Sequence, residues 1–167
     1  RLWLAGEGPL GAALRAQAGR LGLGDEVEFL GFLDRAQMAR RYAEADCFVL
    51  PSLVEAQPMT VLEAMSFGKP VLVTNRIVSA RELVDEGRNG FIVDAASTVD
   101  LANKLELLHD DEGLREALGL NSRVKAQAYG VRPFVEATVG AYQELLGRQA
   151  VRCTGHGAVE SRGDAVG

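Results

Sequence analysis

Four times within the first ninety residues, a strand-length apolar run passes through a short turn into a stretch whose apolar residues recur at helical spacing. Leu2–Ala5 leads through Gly6-Glu7-Gly8-Pro9 to Leu10, Leu14, Ala18 and Leu21. Glu26–Leu30 leads through Gly31-Phe32-Leu33-Asp34 to a helix over Arg35–Ala43. Cys47–Leu50 runs through a loop into a helix over Pro58–Phe67, and Pro70–Thr74 through Asn75–Ser79 into one over Ala80–Glu86. Strands that are apolar on both faces and separated by helices build parallel sheets covered on both sides, with right-handed crossovers. The expectation is therefore a three-layer, Rossmann-like α/β domain: a parallel sheet flanked by helices. Ligands of such sheets sit outside the carboxyl ends of the strands. That places the loops at Gly6–Pro9, Gly31–Asp34, Ser52–Pro58 and Asn75–Ser79 on one rim. After the turn cluster Glu86-Gly87-Arg88-Asn89-Gly90 come a last strand at Phe91–Val93 and helices over Val99–Leu108, Glu112–Ala128 and Pro133–Leu146. Residues 1–148 read as the domain. Residues 149–167, with glycines among small and charged side chains, read as a flexible tail.

Composition narrows the function classes. The 167 residues, 47% hydrophobic and 25% charged, are enough for a full hydrophobic core. No apolar run approaches the roughly 20 residues of a transmembrane segment, and the first residues lack the layout of a signal peptide. A cytoplasmic location is the expectation. A net charge of -5 argues against a broad nucleic-acid footprint and favours a small-molecule partner. Cys47 and Cys153, with His109 and His156, form neither a disulfide framework nor a zinc ligand set, so no metal is expected. His109 reads as a surface residue at a helix end, and Asp110-Asp111-Glu112 as the N-terminal charge of the next helix. Beginning at Arg1 and entering a strand at once, the chain reads as a piece of a longer protein.

Two constellations carry chemistry. Gly6-x-Gly8-x-x-Gly11 has the form of the dinucleotide fingerprint between a strand and a helix, with Asp34 downstream, and alone it would suggest NAD. Against this, Glu7 would set a carboxylate beside a pyrophosphate, and glycines also serve a tight turn and helix packing. The second constellation is Pro51–Gly68. Pro58 suits a first helical position, and the N–H groups of Met59 and Thr60 then lack intrahelical partners and form an anion site. Glu55 would repel a phosphate if it pointed inward, so it is better suited to accept hydrogen bonds from hydroxyls next to that phosphate. A sugar carried on a diphosphate has both features. Glu63 is the only ionisable group between Ala56 and Gly68, in a segment apolar enough for a packed helix, and needs a partner. Other readings remain open: a capping box at Ser52–Glu55, a pairing of Glu63 with Lys69 or Arg76, or a glycosidase acid/base pair, which suits a glutamate inside a helix poorly. Thr74-Asn75-Arg76 reads equally as a strand-end turn or a ligand contact.

The chain resembles the C-terminal, nucleotide-sugar-binding half of retaining glycosyltransferases of the GT-B fold, family 4 or group 1. The resemblance runs through Leu-Ala-Gly-Glu-Gly-Pro at 4–9, Val-Glu-Phe-Leu-Gly at 27–31 and Ala-Asp-Cys-Phe-Val-Leu-Pro-Ser at 45–52. It continues through Glu55-x7-Glu63-Ala64-Met65, Gly68-Lys69-Pro70-Val71, Glu82-Leu83-Val84 and Asn89-Gly90-Phe91-Ile92-Val93. The order and spacing of these segments are specific where each alone is weak.

The resemblance implies retaining transfer from a UDP- or GDP-type sugar donor, with neither metal nor other cofactor. Glu55 would be the catalytic-site residue that contacts hydroxyls of the donor sugar, and Glu63 would bind the ribose hydroxyls. Gln57 and Pro58 belong to the same donor-binding stretch, Met59 and Thr60 would offer N–H groups to the phosphates, and Leu33 would lie by the base through its main chain. An N-terminal part would supply the domain's first strand and helix, the Arg and Lys that clamp the diphosphate, the acceptor pocket and any peripheral membrane contact. This chain alone would then be inactive. Two departures stand out: Pro58 replaces a glycine common in the family, removing an N–H, and Val78-Ser79 replaces a Gly-Gly pair. A GT-B isomerase or phosphorylase, a non-catalytic binding module and an NAD-dependent oxidoreductase are the competing readings.

Overall fold

Each apolar run folds as a strand and each periodic stretch as a helix in the computed structural model, which describes residues 1–154, with side chains as far as residue 146. The order is β1 (Leu2–Ala5), α1 (Gly11–Arg20), β2 (Val27–Gly31), α2 (Arg35–Glu44), β3 (Phe48–Leu50) and α3 (Met59–Ser66). Then follow β4 (Val71–Thr74), α4 (Ala80–Leu83), β5 (Gly90–Val93), α5 (Thr98–Asp110), α6 (Glu112–Gln127) and α7 (Val131–Thr154). Contacts divide the chain into Arg1–Lys125 and Ala126–Gly167.

In the first unit every strand pair is parallel, as expected. The expected single sheet is present as two, β1–β2 and β3–β4–β5, because β1 and β3 do not hydrogen-bond to each other. β4 is paired on both edges, Val71 lying opposite Phe48 on one side and Gly90 on the other. All four of its residues are buried. Leu72 packs with Phe91, with Leu108 of α5 and with Leu118 of α6, and Val49, Leu101 and Leu114 border this cluster. Val71 and Val73 point to the opposite face by the two-residue period of a strand. α3 packs on β3 and β4, and its Val61, Ala64 and Met65 are fully buried. Burying each of the larger side chains contributes about 1.5–3 kcal/mol.

Several helix ends are fixed by side chains that periodicity does not reveal. Asp34 and Gln37 form the capping box of α2, each side chain bonded to the other's backbone N–H at 2.8 Å. Ser97 caps α5. Asp111 accepts from Leu114 N at 2.8 Å, so the acidic run does serve the start of α6. His109 lies exposed in the last turn of α5. α4 stops at Leu83, short of the expected Glu86, because the Asn89 amide takes over: it donates to Leu83 O at 3.0 Å and accepts from Asp85 N at 2.7 Å. α6 fastens this turn, with Ser122 Oγ donating to Asn89 O and Asn121 Nδ2 to Arg88 O, both at 2.8 Å.

Two glycines permit contacts that a side chain would block. A Cβ on Gly90 would lie 1.9 Å from Val71 O, and one on Gly119 would lie 2.2 Å from Gly68 O. Gly68 itself ends α3 with φ +70°.

In the second unit, Phe134 N donates to Gly130 O at 3.3 Å as α7 begins. Pro133 falls in the first turn, where its missing N–H costs nothing. α7 continues past Leu146 to Thr154, and the rest of the expected tail, to residue 167, lies outside the described residues.

Substituting two helical glycines should have opposite effects in a denaturant titration. Gly119→Ala is expected to destabilise by about 1–3 kcal/mol through overpacking. Gly19→Ala, in open space inside α1, is expected to stabilise by about 0.5–1 kcal/mol.

Candidate functional site

The loop between β3 and α3 carries most of the expected site and is held by backbone bonds to the loop after β4. Val78 N donates to Glu55 O at 2.9 Å and Ser79 N to Ala56 O at 3.2 Å, while Glu55 and Ile77 form an isolated parallel bridge. Thr74 Oγ1 donates to Ser52 O. The two loops thus form one ledge at the carboxyl ends of β3 and β4. Thr74 and Ile77 are buried in it, Arg76 and Val78 exposed.

On this ledge Glu55 is half-buried, and its Oε1 accepts from Ala56 N at 3.1 Å. The capping box with Ser52 does not form; the helix starts four residues after Glu55, at Met59. Pro58 is buried and occupies the N-cap with φ -77° and ψ 112°, one position earlier than expected. Being extended there, it gives α3 a defined entry without a side-chain cap. Val61 N turns back to Pro58 O at 3.2 Å. The carbonyls of Glu55 and Ala56, the i−4 positions for Met59 and Thr60, are already taken by Val78 and Ser79. Met59 and Thr60 open the helix after an extended Pro58, so no helical carbonyl stands behind them, and their N–H groups lack intrahelical acceptors and remain at the N-terminal end of the helix dipole. Gln57 is exposed beside them.

Glu63 follows Met59 by four residues and so lies on the same helix face, about 6 Å further along the axis. It is exposed, not enclosed as the apolar sequence around it suggested. Its partner is neither Lys69 nor Arg76. Lys69 Nζ donates to Ala43 O at 3.0 Å, and the Tyr42 hydroxyl donates to Glu63 Oε2 at 3.2 Å. Burial first, then the charge of Glu63 and the hydrogen bond to it, push the Tyr42 phenol far above its ordinary pKa. Sequence reasoning missed Tyr42. The signal was its place four residues after Met38 on the inner face of α2, where a phenol needs a partner for its hydroxyl.

Leu33 stands apart from this ledge, half-buried in the loop after β2 on the two-stranded sheet. The glycine loop after β1 meets the same edge: Gly6, at φ +120°, donates its N–H to Gly31 O at 2.7 Å. Gly6 thus joins β1 to β2, with Glu7 alongside Gly31, an arrangement that needs no pyrophosphate. Among the described residues no group of three or more His, Cys, Asp or Glu side chains is placed to hold a metal ion. No described helix is long and apolar enough to cross a membrane.

Comparison with known proteins bears on what such a rim does. Residues 1–125 match the family described as glycosyl transferases group 1, the same stretch that forms the first unit. An alpha-D-kanosaminyltransferase of Streptomyces kanamyceticus is 29% identical over 143 residues, 85% of this chain and 37% of that protein. A D-inositol 3-phosphate glycosyltransferase of Paenarthrobacter aurescens is 32% identical over 125 residues, 75% of this chain and 30% of that protein. Among solved structures, HepE of Anabaena, in complex with UDP, superposes with a TM-score of 0.76 at 28% identity, over 85% of this chain and 40% of that one. The chain thus spans two fifths or less of the length of these relatives. The parallel sheets flanked by helices, the ledge beyond β3 and β4 and the family match agree, and the chain belongs to the glycosyl transferases group 1 family.

Proposed function

We propose that this chain is the donor-binding half of a retaining glycosyltransferase that uses a nucleoside-diphosphate sugar. One observation carries the reading: the unpaired N–H groups of Met59 and Thr60 lie between two carboxylates, Glu55 before the helix and Glu63 one turn into it. A diphosphate at the helix end leaves the sugar towards Glu55 and the ribose towards Glu63. Carboxylates repel phosphate and accept hydrogen bonds from hydroxyls, so the order hydroxyl, anion, hydroxyl along the ledge suits such a donor. HepE structures in complex with UDP and with UDP-glucose support a uridine nucleotide; GDP is the other base considered. Gln57 and Pro58 line the same stretch, and the main chain at Leu33 faces the base.

In this reading the protein's contribution is electrostatic. The helix N-terminus, together with cations from the rest of the protein, stabilises the diphosphate as it leaves with the bonding pair. Glu55 orients the sugar, and the acceptor, held by the other half, attacks from the face that the diphosphate departs. No metal is called for. Pro58 supplies no N–H, so phosphate binding falls to Met59 and Thr60.

Calorimetric titration of the whole protein with UDP, GDP and NAD tests the class: binding of UDP or GDP but not NAD is expected, and the reverse would overturn the reading. The division of labour has its own test. Glu63→Ala should weaken the bare nucleotide, whereas Glu55→Ala should spare it and weaken only the sugar nucleotide, each by about 1–3 kcal/mol. Equal effects on both ligands would refute the assignment. The stereochemistry of the product, read by proton NMR, tests retention.

A further inference from the structure

We infer that Tyr42 is a positioning residue for Glu63, fixing the carboxylate that reads the ribose; the inference rests on the ribose assignment proposed above. The phenol comes from α2, a different helix from its acceptor. Tyr42 is 4% exposed, and its ring is held between two others: Phe48 of β3 meets it edge-on and Phe67, at the end of α3, lies tilted against it, both at 5.7 Å between centroids. A ring so enclosed cannot swing its hydroxyl away from α3.

That hydroxyl has one proton and two acceptors in reach, Glu63 Oε2 at 3.2 Å and Thr60 O at 3.4 Å. The carboxylate oxygen is nearer and charged, so it takes the proton. Among the described residues this phenol is the side-chain partner of Glu63, and no cation pairs with that carboxylate. The identity of the partner has a consequence. A lysine or arginine would neutralise Glu63 and compete for both of its oxygens. A phenol with a raised pKa stays neutral, donates a single bond and leaves the full negative charge in place. Oε2 is thereby anchored, and Oε1 is left as a strong acceptor for an incoming hydroxyl. An exposed glutamate without this anchor would sample several rotamers and would have to be ordered by each incoming nucleotide.

The test uses the whole protein and compares UDP and GDP with their 2′,3′-dideoxy forms, which lack the hydroxyls that Glu63 would bind. The wild type should prefer the hydroxylated nucleotide. Tyr42→Phe keeps the ring between Phe48 and Phe67, and should cut that preference by about three- to tenfold while leaving the affinity for the dideoxy nucleotide unchanged. Adding Tyr42→Phe to Glu63→Ala should change nothing further. A Tyr42→Phe protein that keeps its full preference, or that loses affinity for both forms equally, overturns the inference while leaving the ribose assignment standing. A wild type that binds both forms alike overturns the ribose assignment and the inference with it, before any change at Tyr42.

Discussion

The ledge depends on β4. This strand has ladder partners on both edges and apolar cover on both faces, so its carboxyl end is among the least movable points of the first unit. Thr74, its last residue, reaches across to Ser52 O, and the loop that follows binds the carbonyls of Glu55 and Ala56. Those bonds do more than hold a loop. They tie the residues before α3 to the neighbouring loop, so the helix begins only at Met59 and the N–H groups of Met59 and Thr60 have no intrahelical acceptor. The proposed anion site is thus tied to the rim of the sheet.

A second constraint is the sign of the charges along the ledge. A helix N-terminus attracts an anion, and a carboxylate immediately beside it would weaken that attraction. Here one carboxylate sits in the loop before the helix and the other a full turn beyond its start. In the proposed donor-bound state, each would meet the hydroxyls that flank the diphosphate. Tyr42 completes the arrangement with a neutral donor, preserving the charge of Glu63 rather than cancelling it.

Most of this architecture was legible in the sequence, since strand-length runs and helical spacing depend on local periodicity. Most element boundaries fell within a few residues; α7 runs well past the expected Leu146, and α4 falls short because a side-chain amide at Asn89 replaces its last turn. Contacts between distant segments were not legible. The close approach of α6 to Gly68 needs a glycine at position 119 whose helical neighbours give no hint of it. The partner of Glu63 lies on another helix, and the nearby cations that sequence proximity suggested, Lys69 and Arg76, are not paired with it. The capping box weighed as an alternative at Ser52 does not form, because α3 begins only at Met59; the box that does form, at Asp34, caps α2. The division of five strands into two sheets is likewise a matter of which edges meet, which periodicity does not encode.

The two ends of α3 are held very differently. At its C-terminal end, Gly68 touches the backbone of Gly119, and the Arg123 guanidinium donates to Phe67 O at 3.3 Å, complementing the negative end of the dipole. At its N-terminal end there is no side-chain cap, only Pro58 and the loop. The helix is therefore held at its C-terminal end by contacts to α6 and at its N-terminal end by the backbone bonds that join the two rim loops. Val61 lies in the first turn and is fully buried, so a displacement of the rim loops is passed into the core beneath α3.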